Sequence, residues 1–409
     1  MSLEFRIAEP DDYAGVIDVM STAFLERVDV TRAAEMAARD WEPGRTWAAF
    51  DDGRPCGTFR SWATELTLPG LRRLPAAAVS GVTVLPTHRR RGILTALAAR
   101  EHAAARERGE AIALLYASEY PIYGRLGYAP ATRQAAWTVD TRRTTMRGQP
   151  AGGVELVTPD AGAVEILDPV FDQWRATQPG EIRRRDASWS RRLGLEEEPW
   201  GERWKGFLAV RRDAAGTADG YVLYKAESRW VDRMPAMKVE AKEFIAATDE
   251  AYAALWRYLL EMDLVTTVVV DGLREHEPLP WLLENARAAR ATEVGDGLWA
   301  RLLDVPRALA ERAYAGSARV VVEVVDADAV GGRQRLLLET SPDGATCRPT
   351  DLSPDLTLPV AALGGAYLGG TRLRDVVLAT GADEHRSGAV LELDALLRTP
   401  DEPRCSTFF

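Results

Sequence analysis

Lysine is almost absent from this 409-residue chain: Lys205, Lys225, Lys238 and Lys242 stand against 47 arginines. With alanine abundant, that choice reflects the codon usage of a GC-rich bacterial genome and says little about chemistry. Cysteine is scarce too. Cys56, Cys347 and Cys405 are scattered and odd in number, which excludes a disulfide framework or a CxxC metal site and fits a reducing compartment. His88, His102, His276 and His385 are the only histidines, too few for a histidine-rich centre, so no metal is expected. Apolar runs such as Leu264–Val270 are strand-length, and the start MSLEFRIAEPDDY lacks the apolar core of a signal peptide. These absences lead to the expectation of a cytoplasmic protein with no membrane partner. Positive charge is also in deficit, 51 basic against 61 acidic residues, for a net charge of −10. That balance argues against a nucleic-acid partner and suits cationic small molecules.

What is present is ordinary globular composition, 46% hydrophobic and 27% charged, with length for two to four domains. Up to about residue 146 the patterning predicts a strand at Leu3–Ile7 and a helix carrying Tyr13, Val16, Ile17, Met20 and Phe24. A short helix at Ala33–Arg39 and strands at Thr46–Asp51, Gly57–Leu66 and Ala76–Leu85 follow. A long helix at Arg91–Arg108 and a buried strand at Ala111–Ala117 complete the unit. This is a mixed α/β, α+β order with one parallel crossover. Gly148–Gly153 reads as a linker, and residues 147–302 repeat the rhythm. Strand Ala236–Ala247, helix Asp249–Met262 and strand Val265–Asp271 match the order of residues 76–117, without arginine or glycine at the strand-to-helix turn. In the third region, 303–409, the pattern predicts a helix at Pro306–Tyr314 and strands at Ala318–Val325 and Gln334–Thr340. Helices at Leu358–Leu368 and Leu373–Leu378 and a last strand at Ala389–Leu393 follow. The chain closes on Phe408–Phe409, and two terminal aromatics suggest a docked tail.

The most informative segment is VTVLPTHRRRGIL, residues 82–94. A β-branched strand runs into a basic, glycine-containing turn that opens a helix, where free N–H groups and the helix dipole favour a pyrophosphate. Arginines add charge-assisted hydrogen bonds, and Gly92 permits close backbone approach. No Gly-Lys-Ser/Thr or GxGxxG follows, which excludes a Walker loop or a dinucleotide fingerprint. The second segment, ASEYPIYGRLGYAPAT from Ala117, carries Tyr123 as a possible acid.

The first segment resembles the acetyl-CoA site of the GNAT superfamily of N-acetyltransferases, with Arg89-x-x-Gly92-x-Leu94 in place of R-x-x-G-x-G/A. Together the two segments resemble the Eis (enhanced intracellular survival) family. The resemblance implies two tandem GNAT-like domains, 1–146 and 147–302, the second without a cofactor site, then a sterol-carrier-protein-like domain, 303–409. It implies a homohexamer that N-acetylates aminoglycosides and other amines with acetyl-CoA. It further implies Tyr123 as general acid, the α-carboxylate of Phe409 as general base, and cofactor contacts at Val82, Thr83, Val84, Arg90, Arg91, Gly92, Ile93, Leu94, Thr95, Ser118 and Glu119.

Acetyl transfer needs a deprotonated amine, a polarised thioester and a protonated leaving thiol. An α-carboxylate ordinarily titrates near ~3.3–3.7, so desolvation must raise it before it serves as a base, and docking on the Phe408 and Phe409 rings would do this. Phe24, Glu26 and Asp29 are the candidates for receiving a cationic, polyamine- or aminoglycoside-like acceptor, and Cys56 reads as a small buried hydrophobe. The alternative to an enzyme is a lipid- or acyl-CoA-binding carrier built on the third region.

Overall fold

The Asp52–Gly53 pair, both at positive φ (+49° and +74°), closes a two-residue hairpin whose twist suits the flanking strands, and the first sheet grows around it. The computed structural model describes residues 3–148, 152–197, 200–326 and 332–409. The sheet runs β1 (Glu4–Ile7), β2 (Thr46–Asp51), β3 (Arg54–Thr67), β4 (Arg73–Val84), β5 (Ile112–Tyr116), then Leu298–Leu302 and Ala129–Pro130. Only the β4–β5 pairing is parallel, as the long crossover through a helix requires. Helix α1 (Tyr13–Ala23) buries Tyr13, Val16, Ile17 and Met20 at the predicted spacing. It packs with α2 (Val30–Asp40) beside the sheet, while α3 (Ile93–Glu107) buries Ile93, Leu97, Ala98 and Ala105. A short helix, α4 (Tyr120–Gly124), follows β5.

The second sheet runs 289–296, 133–140, 265–273, 237–246, 218–227, 207–212, 153–157. The two sheets therefore trade strands across the expected boundaries at 146 and 302. Arg133–Asp140 already belongs to the second sheet, whereas the fully buried Leu298–Leu302 returns to pair with β5. The expected linker falls partly at 149–151, outside the described residues.

The third region has a five-stranded sheet, 344–349, 333–341, 318–325, 356–359, 383–384. Two expectations are corrected here. Leu356–Pro359 is a strand parallel to Ala318–Val325, so the helix expected from Leu358 starts only at Val360, with Pro359 as its N-cap. Ala389–Leu397 is a helix, not a strand. Its buried set, Ala389, Leu393, Leu396 and Leu397, falls at i, i+4, i+7 and i+8, a helical period that a five-residue window hides. The apolar face of this sheet (Val320, Val322, Leu336, Leu338) shares one continuous core with Leu66, Ile112 and Leu298 of the first sheet.

Residues 398–409 form neither helix nor strand, yet Arg404, Cys405 and Thr407 are buried. Glu181 accepts from the Ser406 N–H (2.6 Å) and hydroxyl (2.7 Å), and Tyr116 donates to the Cys405 carbonyl (3.3 Å). Arg184 donates to Thr407 Oγ1 (3.1 Å) while forming a two-pronged ion pair with Glu243 (2.8 and 3.0 Å). Arg192 and the Tyr221 hydroxyl complete the shell of Glu243 at 2.6 and 2.5 Å. Burial alone would raise the Glu243 carboxyl, but Arg184 and Arg192 overcome it and hold the group down to about 2.

Removing one partner of such a buried pair leaves an uncompensated charge, so Arg184→Met is expected to cost about 3–5 kcal/mol in urea unfolding. Because the folded pKa of Glu243 is depressed, its stabilisation is present above its ordinary 4.5 and is lost as pH falls through about 2. Glu243→Gln should flatten the stability-versus-pH curve over that window. Equal acid sensitivity of variant and parent would contradict the assignment.

Candidate active site

β4 and β5 pair only at Ala76–Ala78 with Ile112–Leu114, and beyond those residues they diverge. On its other side β4 carries a bulge, because Thr58 faces Thr83 and Arg60 faces Ser80, so Gly81 and Val82 both oppose Phe59. Gly81 sits at φ +60°, and a Cβ there would lie 2.8 Å or less from Met20 (2.7 Å to Cε). The bulge falls where β4 has already parted from β5, so residues 81–84 of β4 have no β5 partner. At its far end the Arg89–Gly92 turn is exposed. Gly92, at φ +75° with open space around it, is the N-cap of α3 and supplies no side-chain cap. A fifteen-residue helix thus presents uncapped N–H groups to solvent. This is the backbone cradle that a pyrophosphate requires, so the residues fit acetyl-CoA.

Within that cradle the expected contacts separate into two kinds. The Thr83 hydroxyl is engaged with that of Thr58 (2.5 Å) and the Ile93 side chain is buried in the core, so both offer backbone only. Arg90, Arg91 and Thr95 are exposed and Leu94 is half-buried. Arg91 donates to Asp51 (3.1 Å), which His88 also meets at 3.2 Å; Arg91 and His88 hold the Asp51 carboxyl below its usual range.

A cavity of about 760 Å³ opens between the splayed strands, α1, α2 and the second domain. Val82, Ser118, Tyr123, Phe24, Glu26 and Phe409 all line it. Tyr123 is 4% exposed; burial raises its phenol above the ordinary value, against a lowering hydrogen bond from Ser118. The Phe409 ring lies edge-on to Trp62 of β3 (4.8 Å) and Tyr116 of β5 (5.3 Å). Phe408 is 74% exposed, yet its ring also packs on Tyr116 at 4.8 Å, so both terminal rings anchor the tail together with the hydrogen bonds to residues 404–407. Glu119 is exposed and lies outside the cavity wall. Asp29 lies outside it too: its carboxylate caps α2 by accepting from the Arg32 N–H (3.1 Å), beside a smaller cavity of about 480 Å³ that it shares with Glu26. Cys56 is buried, and burial raises its thiol, in keeping with a hydrophobe.

The sequence reading missed the arginine wall. Arg60 on β3 and Arg183, Arg184, Arg185, Arg191 and Arg192 of the second domain reach the same cavity. The signal was the run Arg183–Arg184–Arg185, as dense as the one at Arg89–Arg91 but not flanked by a strand and a long helix.

Comparison with known proteins agrees with this geometry. Residues 4–131 and 180–302 each match an acetyltransferase (GNAT) domain, and residues 305–406 match a sterol carrier protein domain. These matches define the class: a GNAT acetyltransferase with a duplicated domain and a sterol-carrier-like third domain. An uncharacterised N-acetyltransferase of Streptomyces griseus is 41% identical over 420 residues, covering all of both chains. The N-acetyltransferase Eis of Mycobacterium tuberculosis is 36% identical over 341 residues, 81% of this chain and 80% of that one. The crystal structure of Eis1 from Mycobacterium abscessus superposes with a TM-score of 0.86 at 34% identity, covering 99% of this chain and 100% of that one. The chain belongs to the Eis family of N-acetyltransferases.

The bulge gives a direct check on the cradle. Gly81→Val places a β-branched residue at φ +60° against Met20, with about 1–3 kcal/mol of backbone strain. A lowered thermal midpoint together with a raised KM for acetyl-CoA is expected. An unchanged KM would mean that the bulge does not shape the cosubstrate site.

Proposed function

We propose that this N-acetyltransferase moves the acetyl group of acetyl-CoA to a primary amine by direct attack in the 760 Å³ cavity, with Tyr123 as general acid and the Phe409 α-carboxylate as general base. The observation that carries the reading is that the last residue and Tyr123 line one cavity at the mouth of the β4–β5 wedge. Acetyl-CoA supplies the activated acyl group. Backbone groups of Val82–Val84 would hold its arm, and the α3 N-terminus with Arg90 and Arg91 its pyrophosphate. Phe409 takes the proton that the amine must lose. Tyr123 hands its proton toward the departing sulfur.

Tyr123 is poised for that task in one respect and opposed in another. Its raised pKa keeps the phenol protonated across neutral pH, but a phenol above ~10 giving a proton to a thiolate near ~8.5 is uphill by at least roughly 2 kcal/mol. The Ser118 hydrogen bond acts to reduce that gap, since it favours the phenolate. Cys56, outside the cavity wall, has no role as an acyl carrier.

The second domain is proposed to bind no cosubstrate. The helix after its matching strand is capped, Thr248 accepting from the Ala251 N–H at 3.1 Å, so the anion cradle is absent there. Aminoglycosides and other polyamine-like amines are the acceptors that the family resemblance implies, with Glu26 in the wall to meet them. A homohexamer is the assembly it implies.

Tyr123→Phe should lower kcat roughly 10²- to 10⁴-fold while leaving the KM for acetyl-CoA unchanged, and one residue added after Phe409 should do the same. Thiol release from acetyl-CoA is the readout, and unchanged turnover in either variant contradicts that residue's role. Because the Tyr123 pKa is raised, the protonated acid persists to high pH, so kcat/KM should show no alkaline fall from Tyr123 below about pH 10. An alkaline limb near pH 8 that disappears in Tyr123→Phe would overturn this.

A further inference from the structure

The walls of the acceptor cavity carry a charge opposite to the one expected for receiving a polycation. Seven cationic side chains line it against two side-chain carboxylates, Glu26 and Asp40, and the terminal residue Phe409. Part of this charge is answered within the protein: Asp40 pairs with Arg191 at 2.7 Å, and Glu243, behind the wall, pairs with Arg184 and Arg192. Arg60 and Arg185 have no carboxylate within ion-pairing distance among the described residues. Arg60 lies between the rings of Trp41 and Trp62, at 5.0 and 5.2 Å, and its buried Nε has no hydrogen-bond partner. Arg185 stacks on the same Trp62 at 4.4 Å, and its hydrogen bond goes to a neutral group, the Asp40 carbonyl, at 3.2 Å. Two guanidiniums thus flank one indole, and the ring of Phe409 rests on that indole at 4.8 Å.

From this arrangement we propose that the acceptor is an amine that also bears an anionic oxygen group, a carboxylate, phosphate or sulfate, which docks on Arg60 and Arg185 beside Trp62. The inference rests on the acetyl-transfer reading and replaces the polycationic acceptor with an amphoteric one. Guanidiniums held on aromatic rings keep their forks free for bidentate oxyanion binding. A buried donor without a partner is costly, and a ligand oxygen offsets that cost. Burial, and after it the like charges of Arg185 and Arg191, push Arg60 down to about 9, the penalty that an incoming anion relieves. Coenzyme A does not supply this anion in the proposed site, because its pyrophosphate belongs at the Arg89–Gly92 turn, none of whose residues lines this cavity. An anion on Trp62 places the amine of the same molecule next to Phe409, where its proton must go.

The test measures binding to the coenzyme A-loaded protein by calorimetry, which needs no turnover. The probes are glucosamine 6-phosphate, glucosamine and kanamycin. The phosphate-bearing amine is expected to bind roughly tenfold or more tighter than glucosamine, the effect of charge-assisted hydrogen bonds to a guanidinium pair. Inorganic phosphate should compete with it, and Arg60→Gln should collapse the ratio. No preference for the phosphate-bearing amine, through equal binding or through none, overturns the proposal, as does tighter binding of kanamycin or a preference untouched by Arg60→Gln. Thiol release from acetyl-CoA with the same three amines reports separately on acetyl transfer. Silence there with the binding preference intact would defeat the transfer reading and not this one.

Discussion

The buried ion pair between Arg184 and Glu243 is the constraint on which the acceptor side of this molecule depends. Arg184 belongs to the segment entering the second domain, Glu243 to a central strand of the second sheet, and Thr407, which Arg184 also holds, to the tail of the third region. A charge pair removed from water contributes little net stability compared with apolar packing, but it is strongly directional once formed. Here the direction matters, because the same guanidinium that satisfies Glu243 also holds residues 406 and 407, and with Glu181 it fixes the tail whose Phe409 ring packs on Trp62 of β3 and Tyr116 of β5. The core shared by the first sheet and the third region brings the tail to that place, and the polar clamp sets its register.

The duplicated domain shows how one architecture keeps or loses an anion site. In both copies a central strand pairs with its parallel neighbour over a few residues and then parts from it. In the first copy the gap stays open and the following helix starts at an uncapped glycine. In the second, Thr248 caps the helix and the Arg404 guanidinium of the tail enters the gap, donating to the carbonyls of Gly272 (2.7 Å) and Phe244 (3.2 Å). The backbone groups proposed to hold the cosubstrate in the first copy have counterparts in the second that hold the chain's own tail. The second domain therefore acts as the anchor for the residue that completes the cavity of the first.

Much of this was legible in the sequence where local chemistry decides the outcome. The run Val82–Leu94 encodes strand, turn and helix start in consecutive residues, and Asp52–Gly53 encodes its hairpin; both needed no tertiary information. The docking of Phe409 was signalled by an aromatic chain end. What was not legible depends on partners far apart in the chain. The return of Leu298–Leu302 to the first sheet, the clamp of residues 181–184 on 404–407, and the meeting of Arg60 with Arg185 across Trp62 leave no periodic trace. Asp29, a candidate acceptor contact, also caps α2, a local role that an Asp one position before a helix signals in the sequence. Ala389–Leu397 was misjudged because a short apolar run satisfies strand and helix equally.

The central claim is that the end of the chain and Tyr123 converge on the sulfur of the cosubstrate. A crystal structure of the full chain with coenzyme A bound tests it most directly. The account predicts the sulfur at the inner end of the β4–β5 wedge, with Tyr123 Oη within hydrogen-bond reach, roughly 3 Å or one water away, and the Phe409 carboxylate facing it across the space for the amine. A sulfur directed away from Tyr123, or a tail displaced from Trp62 and Tyr116 when coenzyme A is bound, would contradict it.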